Sequence, residues 1–222
     1  MEIFWVVFFI VVVGGVMAFL LLSGRKKVAR YQNWAAANGW QYVRRDDSRS
    51  ARWTVRPFTL GQKQRIHHVL DGERDGHAVS VFEHEAVNKV GETSVYRQTV
   101  LTTALPGSLP PVLIAPQRTP ERKVLLAELG KDYEVEWAEF NREWFIRTDD
   151  LRFTSDFVHP QLMERLMKPD AKGLFLRVEG SDLIGWLTGA RDELALIENQ
   201  LPVLLDVVRL IPGFVWKDYG RA

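Results

Sequence analysis

The chain has 222 residues, with 29 Lys+Arg against 28 Asp+Glu, eight Trp and no Cys. That length holds one ordinary domain plus a short extra segment, and a hydrophobic fraction of 46% belongs to a folded chain. Without cysteine, disulfide scaffolds, thiol nucleophiles and thiolate zinc sites are excluded.

Ile3 to Leu22 is an unbroken run of twenty apolar residues. As a helix rising about 1.5 Å per residue it reaches roughly 30 Å, the thickness of a bilayer's hydrocarbon core. A cleaved signal peptide would begin with positive charge and end at a small-x-small site. Here only the charged Glu2 precedes the run, and Ser-Gly-Arg-Lys-Lys follows it, so the expectation is a retained anchor. Arg25, Lys26, Lys27 and Arg30 crowd its C-terminal flank, which places the N-terminus outside and the rest of the chain in the cytoplasm. The domain plan expected is therefore an anchor over 1–24, a basic juxtamembrane helix over 25–39 and a soluble domain over 40–222.

Charge is unevenly spread. Residues 25–70 carry eleven Lys/Arg against two Asp, a net of +9, and residues 71–222 have a net of −7. Arg25, Lys26, Lys27 and Arg30 are the candidate contacts to anionic lipid, each such cation gaining about 1 kcal/mol near the inner leaflet. Arg44, Arg45, Arg49, Arg52 and Arg56 either extend that basic surface or are simply solvated. With an acidic body and a pI of only 8.0, nucleic acid is not an expected partner.

In chain order, Val28 to Asn38 reads as a helix stopped by Gly39, and Trp40 to Val43 as a strand. Gln64–Leu70 and His77–Glu85 read as a hairpin across Asp71 to Gly76, with Asp71 paired to His77. Thr93–Leu105 is a third strand ended by Pro106 to Pro111, and Val112–Ala115 a short fourth. A helix is expected over Glu121–Leu129, strands over Glu134–Phe140 and Trp144–Arg147, and a short helix opening at His159-Pro160. Leu174–Glu179 and Leu183–Leu187 suggest a second hairpin. From about Asp192, Leu194, Ile197, Leu201, Leu204, Val208 and Ile211 form an apolar stripe at helical spacing, interrupted by Pro202. The stripe is expected to pack on a sheet. The fold class is thus α+β, an antiparallel sheet covered by helices.

Chemistry is sparse. Four of the five histidines fall in the first hairpin, but the expected register separates His68 from His84 by roughly 14 Å, too far for one ion. His84-Glu85 begins an HExxH pattern, yet Asn88 stands where the second histidine belongs. No nucleophile elbow, phosphate loop or dinucleotide fingerprint is present. Glu139, Asn141 and Arg142, in an acidic, aromatic stretch, are the candidate lining of a ligand pocket; as a turn between strands they would have no such role. No catalytic residue, metal ligand or cofactor is assigned.

Several stretches together resemble an uncharacterised family of bacterial membrane-anchored proteins. They are Ala36–Tyr42 (AANGWQY), Pro57-Phe58 with Gly61 and Arg65, Leu105–Pro110 (LPGSLP), Glu139 to Arg142, His159-Pro160 and Ile211 to Trp216. The resemblance implies one N-terminal span and a soluble domain, and no assigned activity. The expected function is a non-enzymatic interaction or scaffold module at the membrane, with the bilayer and a membrane or envelope protein as partners. The alternative is an enzyme or carrier for a lipid or another membrane-located small molecule.

Overall fold

The computed structural model describes residues 2–88, 94–127, 130–189 and 191–221. Within the first helix, α1 (Glu2–Asn38), the side chains of most of residues 2–23 lie outside this description. Among the described residues no helix is long and apolar enough to cross a membrane. The expected span, residues 3–22, falls mainly on those side chains, while its backbone is continuous with the helix expected over 28–38. Gly39, at φ 71°, supplies the left-handed stop.

The strands are β1 (Gln41–Arg45), β2 (Lys63–Arg74), β3 (His77–Asn88), β4 (Ser94–Pro116), β5 (Lys131–Tyr133), β6 (Trp144–Thr148) and β7 (Phe175–Thr188). All pairings are antiparallel, in the order β1-β2-β3-β4-β6-β5, with β7 also on β4. Alternation along the strands sorts side chains to two faces. Leu70, Val81 and Leu101 join a core under α4 (Leu151–Phe157), α5 (Pro160–Leu166), α6 (Glu193–Asn199), α7 (Leu201–Leu210) and α8 (Gly213–Tyr219). Their neighbours Val69, Phe82 and Val100 face a second core that Trp53, Phe58 and Leu125 of α2 (Arg122–Leu125) close from the other side.

Four expectations are corrected, each for a local reason. The first hairpin turns on Asp75-Gly76 alone, both at positive φ, and pairs Arg74 with His77 and Asp71 with Ser80. That two-residue turn matches strand twist, so three more residue pairs stay on the ladder. β4 does not end at Pro106; it runs on to Pro116, because its prolines sit where the register shifts against β7, around Leu109. Glu134–Phe140 is not a strand. Asn141 accepts from the Val135 N–H and donates to the Val135 carbonyl, closing the segment on itself before α3 (Ala138–Glu143). β7 is one strand, not a hairpin. Both halves pair with β4, and the bent ribbon stacks Phe175 on Trp186 at 5.0 Å.

Other expectations hold. α5 opens at His159 with Pro160 in its first turn, Asp192 caps α6 by accepting from the Leu194 N–H, and Pro202 starts α7 rather than breaking a longer helix. Ile197, Leu201, Leu204, Val208 and Ile211 are all in the core. Tertiary packing therefore consumes the C-terminal stripe.

Asp182 holds the covering loop onto the second core. It accepts from Arg52 at 2.6 and 3.1 Å and from the Trp53 indole N–H at 2.9 Å, while Trp53 stacks on Phe58 at 4.6 Å. Asp182→Ala is expected to cost about 2–3 kcal/mol, since it orphans a buried indole N–H. Urea denaturation measures this, with Asp182→Asn, which keeps an acceptor, falling between the variant and the wild type.

Candidate functional site at the end of the first helix

Helix α1 meets the domain through its last turns. Tyr31, Trp34 and Ala35 lie on the side of α1 turned to the domain, with Tyr31 fully buried. The Tyr31 hydroxyl donates to Glu193 Oε2, and Asp192 Oδ1 lies 3.4 Å from it. Arg30 pairs with Asp192 at 2.5 Å, and Lys27 lies 3.4 Å from Glu83 and 3.5 Å from Glu193. Lys27 and Arg30 also sit over the Tyr31 ring, at 5.4 and 5.1 Å from its centroid. Beneath Tyr31, His68 is held in the bulge of β2 at φ 52°, with Nδ1 2.8 Å from the Tyr42 hydroxyl.

Burial sets the electrostatics of this cluster. It raises Glu193 above the ordinary carboxylate range, partly offset by the Tyr31 hydrogen bond and Lys27. It also raises Tyr31, reinforced by Glu193. Asp192 is lowered: burial opposes this, and the Arg30 hydrogen bond and charge outweigh it. His68 is pushed down to about 4, by burial first and then by Lys27. The junction is thus a buried ionic and hydrogen-bonded joint, neutral at its histidine.

The four candidate lipid-contact residues divide. Arg25 and Lys26 are exposed on α1, whereas Lys27 and Arg30 reach back to the acids of the domain. The arginines beyond residue 40 are largely engaged within the fold. Arg45 binds Asp47, Arg49 binds Asp46 and Asp71, and Arg52 binds Asp182. They fasten the 3-10 turn Asp47–Arg52 and its flanks to the sheet.

Glu139, Asn141 and Arg142 do not line the groove that the same region builds. Asn141 is spent on Val135, and Glu139 and Arg142 form an exposed pair at 3.7 Å. The groove begins one residue later. It has a volume of about 600 Å³, between the ends of β4 and α5 and the start of β6. Trp144, Leu166 and Met167 give it an apolar wall; Arg118, Lys168 and Lys172 stand around it with Glu143. Sequence reading missed it because its residues come from three separate segments. The local sign was the pair of lysines about Pro169, which reads as an ordinary solvated turn.

Among the described residues no group of three His, Cys, Asp or Glu side chains is placed to hold a metal ion. His84 is fully buried, with Nε2 on the Gln64 amide oxygen and its ring against Phe58 at 5.2 Å. Burial lowers it to about 4. It is a core histidine.

The fold and joint define a class: an antiparallel α+β module carried on a long N-terminal helix. No protein-family model matches the chain, and no curated protein does. Among solved structures it is similar to the crystal structure of the mycobacterial trehalose monomycolate transport factor A, TtfA. The TM-score is 0.60 at 14% identity, over 85% of this chain and 97% of that one. At that identity the likeness concerns the fold.

Proposed function

We propose that the chain is a membrane-anchored, non-catalytic docking module serving the movement of envelope lipids. The observation that carries this reading is the joint between α1 and the domain. A helix that begins in the apolar run continues without interruption to Tyr31, Arg30 and Lys27, which are bonded into the domain. The domain is then a rigid extension of its anchor, held at a set height and angle to the bilayer. Such a joint suits presentation of a surface to a neighbour in the same membrane. Trp5, Phe8, Phe9 and Val13 are exposed on α1, as lipid-facing side chains would be. The likeness to a trehalose monomycolate transport factor supplies the lipid-transport context.

In this reading residues 3–22 cross the membrane, the N-terminus is outside and the domain cytoplasmic, with Arg25 and Lys26 at the headgroups. The chain has no cysteine, so single introduced thiols report topology cleanly. Glu2→Cys should react with an impermeant maleimide in intact cells, and Lys217→Cys only after permeabilisation. The reverse pattern would overturn the orientation.

The apolar wall of the 600 Å³ groove favours the carrier alternative to the extent that it could shelter part of an acyl chain. Crosslinking in cells, followed by purification from solubilised membranes, separates the two readings. A membrane transport protein recovered in fixed ratio supports the docking module, and stoichiometric lipid without protein supports the carrier.

A further inference from the structure

Resting on the docking-module reading, we infer that this protein binds an acidic, extended polypeptide segment along a basic track from the membrane end of α1 to the Trp144 groove. Three depressions share residues and so form one path. The first, about 450 Å³, lies beside Lys26, Arg30 and Tyr31 and includes Arg191 and Asp192. The second, about 300 Å³, has Arg191 and Asp192 at one end and Lys172 at the other. Lys172 also borders the third, the 600 Å³ groove with Lys168 and Arg118.

What marks this path is that several cations without carboxylate partners among the described residues line adjoining depressions, whereas elsewhere exposed unpaired cations such as Lys63 and Lys217 stand apart from it. Arg45, Arg49, Arg52, Arg65, Arg97, Arg165 and Arg209 are all committed to carboxylates. Lys26, Arg191, Lys172, Lys168 and Arg118 are exposed, and none has an ion pair among the described residues. Of the two acids on the path, Asp192 is neutralised by Arg30, which leaves Glu143. A row of uncommitted cations with one free acid is complementary to a run of carboxylates.

The shape selects the class of partner. A single lipid headgroup needs cations converging on one point, and these are strung over three shallow depressions. An extended chain with acidic residues on one side and apolar ones on the other can follow the row and seat an apolar side chain against Trp144, Leu166 and Met167. The path begins beside α1, so a segment emerging from a neighbouring transmembrane span could enter it directly.

The test uses the full chain in phosphatidylcholine nanodiscs and a fluorescein-labelled, glutamate-rich peptide with interspersed Leu and Phe. Wild-type protein should bind it with an affinity that falls steeply with salt. The combined variant Arg118→Glu, Lys168→Glu and Lys172→Glu should weaken binding by at least about tenfold, and Arg191→Glu alone by about threefold. These side chains are exposed and uncommitted, so melting should be unchanged. Lys217→Glu, an exposed cation off the path, should bind as wild type does. Equal affinity of the combined variant would overturn the track, as would equal weakening by Lys217→Glu. So would unchanged peptide binding with lost flotation on phosphatidylglycerol vesicles, which would make the path a lipid surface. A failure confined to the peptide leaves the anchored-module reading to the topology and crosslinking experiments.

Discussion

Replacing Glu193 by alanine should loosen α1 from the domain at a cost of about 3 kcal/mol, the largest effect expected of a single polar substitution here. The carboxylate is fully buried and accepts from the equally buried Tyr31 hydroxyl. Alanine leaves that hydroxyl only the longer contact to Asp192 at 3.4 Å, opens a small cavity under α1 and removes one of the two acids beside Lys27. Chemical denaturation of the solubilised protein measures the loss, and hydrogen exchange over residues 25–38 should show local opening in the same variant. Glutamine behaves differently because it can still accept from Tyr31. Burial raises Glu193, so the native state holds its proton to higher pH than the unfolded chain does. The stability contributed by this group is full below the unfolded value of 4.5 and is lost as pH rises through the raised native value. Glu193→Gln should abolish that slope and be less harmful than alanine at every pH. Equal damage from both would mean that volume, not the hydrogen bond, holds the joint.

Acid should destabilise the domain strongly between pH 6.5 and 4, with His84 as the main cause. The native imidazole sits at about 4 against 6.5 when unfolded. Across that window the unfolded chain binds the extra proton and the native state does not, so stability falls as pH falls. The full difference is about 3 kcal/mol for this fully buried group, at about 1.4 kcal/mol per unit. His68 acts in the same direction, and being half-buried it contributes less. Urea midpoints at pH 7 and pH 4.5 give the slope, and His84→Gln should remove most of it. Glu193 slopes the opposite way as pH rises, so the two single variants separate what the wild type superimposes.

The elements were legible wherever a local signal decided the matter. The two-glycine connection Asp71 to Gly76 marked β2 and β3, β-branched content marked the first half of β4, and Asp192 and Pro202 marked the starts of α6 and α7. The failures share one cause. Pro106, Pro110 and Pro111 are strand breakers in isolation, but β4 places them at register shifts, where a missing N–H costs little. Glu134 to Trp137 alternates as a strand should, but the Asn141 side chain takes the Val135 backbone first. In both cases a partner distant in sequence, or a side chain a few residues on, decided between two locally acceptable conformations.

Sequence alone determined the apolar run of residues 3–22, the basic flank that follows it, the α+β class and the absence of any thiol chemistry. These depend on composition and short-range period, which survive without knowledge of neighbours. Only the tertiary structure decided which cations are free. Lys27 and Arg30 stand in the same basic cluster as Arg25 and Lys26, yet they are bound to acids about 160 residues away in the case of Asp192 and Glu193. Likewise Arg118, Lys168 and Lys172 are unremarkable in the chain and adjacent in space. An ion pair forms between side chains that folding brings within about 4 Å, and that distance is set by the paths of β4, β7 and α6 together.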